Sequence, residues 1–185
     1  MPNWCFNEIE FSGPHESLEK LKSELISDGY EFNLNFCLPY PEKWKTMDEE
    51  YRVWGGFDST LPQEEKDKLR EEYIAKWGTK SDGYNSGGYD WCWDNWGTKW
   101  NIPEADWEEE TPELYRAIFD TAWEPPVGAL DYLAEKFPDI DIKLECSEEG
   151  MGFRGIGVWM NGQRISYIKE DIPPSEDEEE YEEMK

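Results

Sequence analysis

The sequence predicts an α+β fold in which a mainly antiparallel sheet carries its helices on one face. Three observations support this class. A strand–helix–strand pattern occupies the first forty of the 185 residues, and the same pattern returns between residues 115 and 146. Asn161-Gly162 follows, and this dipeptide is typical of a tight type I′ hairpin between two further strands.

The first strand–helix–strand unit begins with a half-buried strand over residues 4–11, where the side chains alternate in character. Leu18, Leu21 and Leu25 then share one helical face, and Gly29 ends that helix. Alternation over residues 32–38 predicts a second strand, which ends at a Pro-rich turn. One face of the first strand carries Trp4, Phe6, Glu8 and Glu10, and the other carries Cys5, Asn7, Ile9 and Phe11.

The second unit lies in the C-terminal half of the chain. Residues 115–122 have the composition of a strand, and residues 140–146 alternate between apolar and polar side chains. Strands at 152–160 and 163–168 are expected on the two sides of the Asn-Gly turn. Between the first two strands, a helical stripe is formed by Val127, Leu130, Leu133 and Phe137.

Two such units in one chain predict a ferredoxin-like sandwich, with a C-terminal hairpin that extends the sheet. A parallel α/β fold is the alternative, but it needs more strand–helix repeats than the sequence offers. We therefore expect one domain over residues 1–169, interrupted by a Trp-rich insertion at about 40–114. Inside the insertion, residues 60–77 predict a helix and residues 81–88 a flexible loop. The acidic segment 170–185 has the composition of a disordered tail.

The composition is that of an acidic globular protein. The formal net charge is −26, while aromatic residues reach 16% and include 11 Trp, a content that disordered chains lack. Such a charge opposes direct binding to nucleic acid and to anionic membranes, because both attract Lys and Arg. No apolar run approaches 18 residues, and the start lacks the basic and apolar regions of a secretory signal. These features predict a protein of the host-cell cytoplasm.

Residues that carry catalysis are scarce. The single histidine, His15, follows Gly13-Pro14 at a strand-to-helix turn, where we expect it to be solvated. Phosphate-binding loops, nucleophile elbows and zinc-protease motifs do not occur in the sequence. We therefore expect no enzyme activity, no catalytic residue, no cofactor and no metal. Wide spacing favours buried structural thiols over a four-thiolate zinc site for the four cysteines, which are Cys5, Cys37, Cys92 and Cys146.

A cluster of tryptophans is the most distinctive local feature of the insertion. Helix-like spacing of its members favours a small satellite core. The alternative is a stacking platform for a sugar or a base. A base platform would need basic neighbours, whereas Asp90 and Asp94 are acidic, so the core interpretation is favoured. The cluster consists of Trp91, Trp93, Trp96 and Trp100.

Several stretches of the chain resemble a known family. They are the opening Met1-Pro2-Asn3-Trp4-Cys5, residues 95–101, residues 119–126, Phe137-Pro138 and Glu149-Gly150. Together they are similar to the YubB-like family of phage and plasmid proteins, which is described as having a ferredoxin-like domain. The resemblance implies this fold and a mobile-element origin. It implies no activity, because the family's biochemical role is unassigned.

Charge and setting together lead to a functional hypothesis. We expect an acidic phage- or plasmid-encoded protein that binds and inhibits a host protein with a basic surface, a nucleic-acid-binding defence enzyme. A compact chain of this length would be about 40 Å across, and B-DNA carries roughly 24 charges over that distance, which is comparable with −26. Mimicry of nucleic-acid charge is therefore the expected mechanism. The carboxylates expected to contact the partner are Glu8, Glu10, Asp90, Asp94, Glu108, Glu109 and Glu110.

Two other interpretations stay open at this point. High acidity also confers solubility by itself. The alternative function is a small-ligand binding module, in which the Trp-rich insertion forms a pocket for a sugar or a nucleotide. A partner-binding protein should co-purify with a basic host protein, whereas a ligand module should show a thermal shift with the small molecule.

Overall fold

The computed structural model describes residues 3–56 and 59–172. The chain divides into two compact units. Among the described residues, the first unit contains those up to Leu38 and from Trp96 onward, and the second unit contains those from Pro39 to Asn95.

In the described part of the chain, six strands form one sheet in the order β2-β3-β1-β4-β5-β6. Every neighbouring pair of strands is antiparallel. The tight turn between β5 and β6 has φ values of 52° at Asn161 and 78° at Gly162, as a type I′ hairpin requires. In chain order the strands are β1 (Trp4–Ser12), β2 (Asp106–Thr111), β3 (Leu114–Ala122), β4 (Asp141–Glu148), β5 (Phe153–Met160) and β6 (Gln163–Asp171).

Helices α1 (His15–Leu25) and α6 (Val127–Lys136) complete two split β-α-β units. β1 and β2 run parallel with β3 between them, and β3 and β4 run parallel with β1 between them. This β1-α1-β2-β3-α6-β4 arrangement is a ferredoxin-like sandwich, and the β5–β6 hairpin extends its sheet. The predicted fold class is confirmed.

Both helices pack on the same face of the sheet. Tyr115 donates a hydrogen bond from its hydroxyl to Glu19 of α1, and the indole N–H of Trp159 donates to Asp131 of α6 across 2.7 Å. Burial of large side chains on this face supplies the hydrophobic stabilisation of the first unit. One row of directly paired residues, each at most 1% exposed, crosses four strands there: Tyr115, Phe11, Ile142 and Trp159.

The second unit is helical. Its two longest helices, α3 and α4, pack on each other, and Glu50 of α3 accepts hydrogen bonds from Lys76 (2.5 Å) and from the Trp77 indole (2.7 Å). These two donors lower the pKa of the Glu50 carboxyl. Gly78 ends α4 in the left-handed conformation, with φ of 72°. The elements are α3 (Glu42–Gly55), α4 (Gln63–Trp77), a 3₁₀ turn (Tyr84–Ser86) inside the predicted loop, and α5 (Gly88–Trp96), whose last residue belongs to the first unit.

One predicted element is wrong. Residues 32–38 form no strand, and instead contain α2 (Leu34–Cys37), a single helical turn. The side chain of Asn33 caps this turn by accepting a hydrogen bond from the backbone N–H of Asn35 across 3.0 Å. A short apolar run has the same pattern in a buried strand and in a buried helical turn, so the alternation is misleading here. The second strand of the first β-α-β motif is β2, which comes after the helical segment Pro39–Asn95 in the chain.

The boundaries also differ from those expected. The predicted insertion at 40–114 includes β2, whereas the separate unit ends at Asn95. Strand β6 extends to Asp171, so the predicted tail 170–185 begins inside a strand, and its residues 173–185 lie outside the described residues. No helix in the described ranges is long and apolar enough to cross a membrane.

Candidate functional site

The face of the sheet opposite α1 and α6 carries large exposed apolar side chains, and we call it the open face. Along β1, β3, β4 and β5 its side chains alternate with the buried ones. Trp4 is 51% exposed, Phe6 43%, Ile156 50% and Ile168 59%. Aromatic and aliphatic side chains gathered in the open in this way are typical of an interaction surface.

Four glutamates surround Arg116 on the open face. Arg116 lies on β3, directly opposite Glu10 of β1 and Glu108 of β2. Its guanidinium nitrogens lie 3.6 Å from a carboxylate oxygen of each. Glu8 and Glu110 approach the same guanidinium to 3.1 and 2.5 Å. One cation therefore holds four carboxylates, which belong to β1 and β2, the strands on the two sides of β3.

Strand β4 continues this charged group. The ammonium of Lys143 lies 2.6 Å from Glu145 and 3.9 Å from Glu10. Its hydrogen bond to Glu145 raises the pKa of Lys143. Five carboxylates against two cations leave three surplus negative charges, which attract a basic surface and repel phosphate. We call this group the carboxylate ladder: Glu8, Glu10, Glu108, Glu110, Glu145, Arg116 and Lys143.

Two cavities flank Phe6 on the open face, and each is within the size range of ligand pockets. The first has a volume of about 580 Å³ and lies towards β3 and β2; its walls include Trp4 and Trp100, and we call it the Trp4 pocket. The second has a volume of about 480 Å³ and lies towards β4, β5 and β6, with Glu8 and Ile156 among its lining residues. The second cavity therefore borders the carboxylate ladder.

The structure brings together four of the seven carboxylates predicted to contact a partner: Glu8, Glu10, Glu108 and Glu110. Glu109 is paired with Tyr115, so it belongs to the helix-covered face of the sheet. Asp90 and Asp94 are exposed on α5 of the second unit. The ladder is thus a narrower candidate site than the predicted set.

The four tryptophans of the predicted cluster differ in burial. Trp96 is 3% exposed, and its indole N–H donates to the backbone carbonyl of Leu38 across 2.8 Å. Trp93 is 38% exposed and stacks on Tyr89 with ring centroids 6.4 Å apart. Trp91 and Trp100 are half-buried.

The cysteines and the histidine do not belong to the carboxylate ladder, although Cys146 is among the residues that line the second cavity. All four cysteines are buried with free thiols. Burial raises the pKa of Cys37 and of Cys92 to about 12, which leaves little thiolate at neutral pH. His15 is exposed at the start of α1. Among residues 3–56 and 59–172, no group of three or more His, Cys, Asp and Glu side chains is arranged to hold a metal ion.

Arg116 lies at the centre of the candidate site, and the sequence analysis did not single it out. The signal was present, because Arg116, Ile118 and Asp120 alternate with buried positions in a predicted strand. Lys143 and Glu145 alternate in the same way on β4. Their convergence with Glu108 depends on the pairing of β2 with β3, which the sequence alone does not specify.

Comparison with known proteins supports the fold of the chain and gives no information on its activity. Residues 95–185 match a family model described as the ferredoxin-like domain in Api92-like protein. The crystal structure of a protein api92 from Yersinia pseudotuberculosis resembles this chain with a TM-score of 0.56 and 12% sequence identity, over 95% of this chain and 100% of that one. No curated protein matches the chain in sequence. The C-terminal half is therefore similar in sequence to the ferredoxin-like domain of Api92-like proteins, and the chain as a whole shares the fold of api92.

Proposed function

We propose that this is a non-enzymatic protein that binds a basic surface of a host protein through the open face of its sheet. The carboxylate ladder is the observation that carries this proposal, because it concentrates negative charge beside exposed apolar side chains. An interface of this kind combines electrostatic steering with apolar burial. Phosphate groups would be repelled by the same face, so the partner is a protein and not a nucleic acid.

The nature of the partner follows from the charge. A groove that normally holds nucleic acid is lined with Lys and Arg, and such a groove would accept an acidic face. A net charge of −26 supports this choice. The resemblance to YubB-like phage and plasmid proteins adds a mobile-element setting, in which the partner is a nucleic-acid-binding defence enzyme in the host cytoplasm. Binding to its groove would inhibit that enzyme by excluding its nucleic acid.

The first test uses affinity capture from host lysate, followed by kinetics with the purified basic partner. We expect the association rate to fall steeply as salt rises, and duplex DNA or RNA to compete for the site. The triple variant Glu10→Gln/Glu108→Gln/Glu110→Gln should associate about tenfold more slowly, because it removes three charges from the ladder. The melting temperature of the variant would be measured in parallel, to separate binding from folding.

A matched control removes three charges elsewhere. Glu64, Glu65 and Glu71 are exposed on α4 of the second unit. The variant Glu64→Gln/Glu65→Gln/Glu71→Gln has the same net charge as the ladder variant, and its association rate should stay within about twofold of the wild type. Equal slowing by both variants would show that only total charge matters. Binding that ignores salt and competing nucleic acid would refute charge mimicry.

A second candidate function, nucleotide binding by the insertion, has one observation in its favour. A cavity of about 320 Å³ in the second unit is lined by three cations, Lys66, Arg70 and Lys80, together with Tyr51 and Trp54. Asp67 is the acidic residue in this lining, so three cations face one carboxylate and the cavity is basic although the chain as a whole is acidic. Pyrophosphate or a nucleoside monophosphate should raise the melting temperature of the wild type. Arg70→Gln should abolish that shift, whereas Lys68→Gln, a change at an exposed position outside the cavity lining, should not.

A further inference from the structure

We propose that the Trp4 pocket binds the guanidinium group of an arginine side chain presented by the protein partner. The inference rests on the proposed function and specifies one contact of the same face. It comes from the pocket's combination of exposed aromatic rings and carboxylates, which is the chemistry that a planar organic cation requires.

Three aromatic residues with exposed or half-buried rings line the pocket, together with the buried Phe119. Trp4 and Trp100 meet edge to face, with centroids 6.1 Å apart and planes at 65°. Phe6 is two residues from Trp4 on the same side of β1, and both rings are substantially exposed. Lys99 already places its ammonium 4.9 Å from the Trp100 centroid. The rings of Trp4 and Phe6 are therefore the faces offered to an incoming cation.

The polar part of the pocket is entirely acidic. Asp120 is directly opposite Phe6, and Asp106 is directly opposite Ile118, which also lines the cavity. Glu31 is held in place because its carboxylate accepts the backbone N–H of Ala105 across 2.8 Å. The four carboxylates in the lining belong to Glu31, Glu104, Asp106 and Asp120, and the described lining contains no Lys or Arg.

These properties select arginine among possible occupants. An anion would meet four carboxylates, and an uncharged apolar group would desolvate them without compensation. A guanidinium can stack on an aromatic face while its N–H groups pair with carboxylates in its plane, which an ammonium cannot do. The pocket also lies on the open face, where the ladder attracts a basic partner. One arginine of that partner would thus be anchored beside the ladder.

The test uses a small probe and does not need the partner. N-acetyl-arginine methylamide would be titrated into the full chain, and the indole N–H signals of Trp4 and Trp100 followed by NMR after assignment with Trp→Phe variants. We expect saturable shifts of these two signals in the millimolar range. N-acetyl-citrulline methylamide, which has nearly the same shape without the charge, should bind at least tenfold more weakly.

Variants localise the effect. Asp106→Asn/Asp120→Asn should weaken the arginine probe at least fivefold, because it removes half of the carboxylates in the pocket. Asp90→Asn/Asp94→Asn, an equal charge change on α5, should leave the affinity unchanged. Equal affinities for the arginine and citrulline probes, equal losses in both double variants, or no saturable shift at 50 mM probe would each overturn the inference.

Failure of this inference and failure of the proposed function are distinguishable. If the pocket does not bind arginine but salt-dependent partner binding still responds to the ladder variant, only the guanidinium contact is wrong. If the probe binds but no basic partner is found for which nucleic acid competes with this protein, the pocket is real and the proposed function is wrong.

Discussion

Replacing Trp96 with Ala is expected to lower the free energy of unfolding by about 3–5 kcal/mol. Trp96 is 3% exposed, so the change would leave a large cavity in the first unit. It would also leave the carbonyl of Leu38 without the indole donor it accepts from across 2.8 Å. Denaturant unfolding followed by circular dichroism would measure the loss.

Trp93→Ala is the matched control for this prediction. Trp93 lies on the same helix, α5, but is 38% exposed and mainly stacks on Tyr89. Its removal should cost no more than about 1 kcal/mol. Trp96→Phe should fall between the two variants, because it keeps most of the ring volume and loses the hydrogen bond. Equal losses at positions 93 and 96 would contradict the assignment of Trp96 alone to the core.

The open face could be predicted in part from the sequence. In β1, strict alternation places Trp4, Phe6, Glu8 and Glu10 on one face, and the structure places them there. The pattern is informative because the alternate positions, which are Cys5, Asn7, Ile9 and Phe11, are all buried. Period-two alternation therefore identifies the face of a half-buried strand, but not the strand that will lie beside it.

The strand that completes the candidate site, β2, could not be predicted from the sequence. Strand β2 contains one large apolar residue, Trp107, between acids, and so has no hydrophobic pattern that would identify it as a strand. It is an edge strand, and acidic side chains are tolerated at an edge because they remain solvated. Its position beside β3 is what brings Glu108 and Glu110 to Arg116.

The misassigned segment at 32–38 has a different cause. The conformation of this segment depends on tertiary contacts. The side-chain carbonyl of Asn101 accepts a hydrogen bond from the backbone N–H of Leu34 across 2.7 Å, and the Asn101 amide donates one to the side chain of Asn33. Asn33 and Asn101 are 68 residues apart in the chain. Local alternation contains no information about such a contact, and the buried amide pair determines that this short run becomes a helical turn.

Replacing Arg116 with Met is expected to destabilise the protein by about 1–3 kcal/mol at pH 7 and low salt. The change removes the cation shared by four carboxylates and leaves these like charges close together, on the two strands that flank β3, without a counter-ion. The estimate is discounted because the ladder is partly exposed and screened by solvent. Arg116→Lys should lose less stability than Arg116→Met, because the lysine ammonium keeps the positive charge but cannot pair with several carboxylates as the planar guanidinium does.

The salt dependence of this variant has a definite sign. Salt screens the repulsion among the carboxylates that Arg116 no longer offsets, so the variant should regain part of the lost stability as the salt concentration rises. The difference in melting temperature between the wild type and Arg116→Met should therefore be largest at low salt and shrink in 1 M salt. Arg154→Met is the control, because Arg154 lies on the same face with Glu170 as its ion-pair partner and is 64% exposed. It should cost less than about 0.5 kcal/mol. A loss at Arg116 that is small and independent of salt would mean that the ladder carboxylates are kept apart by solvent, and that the shared cation does not organise the face.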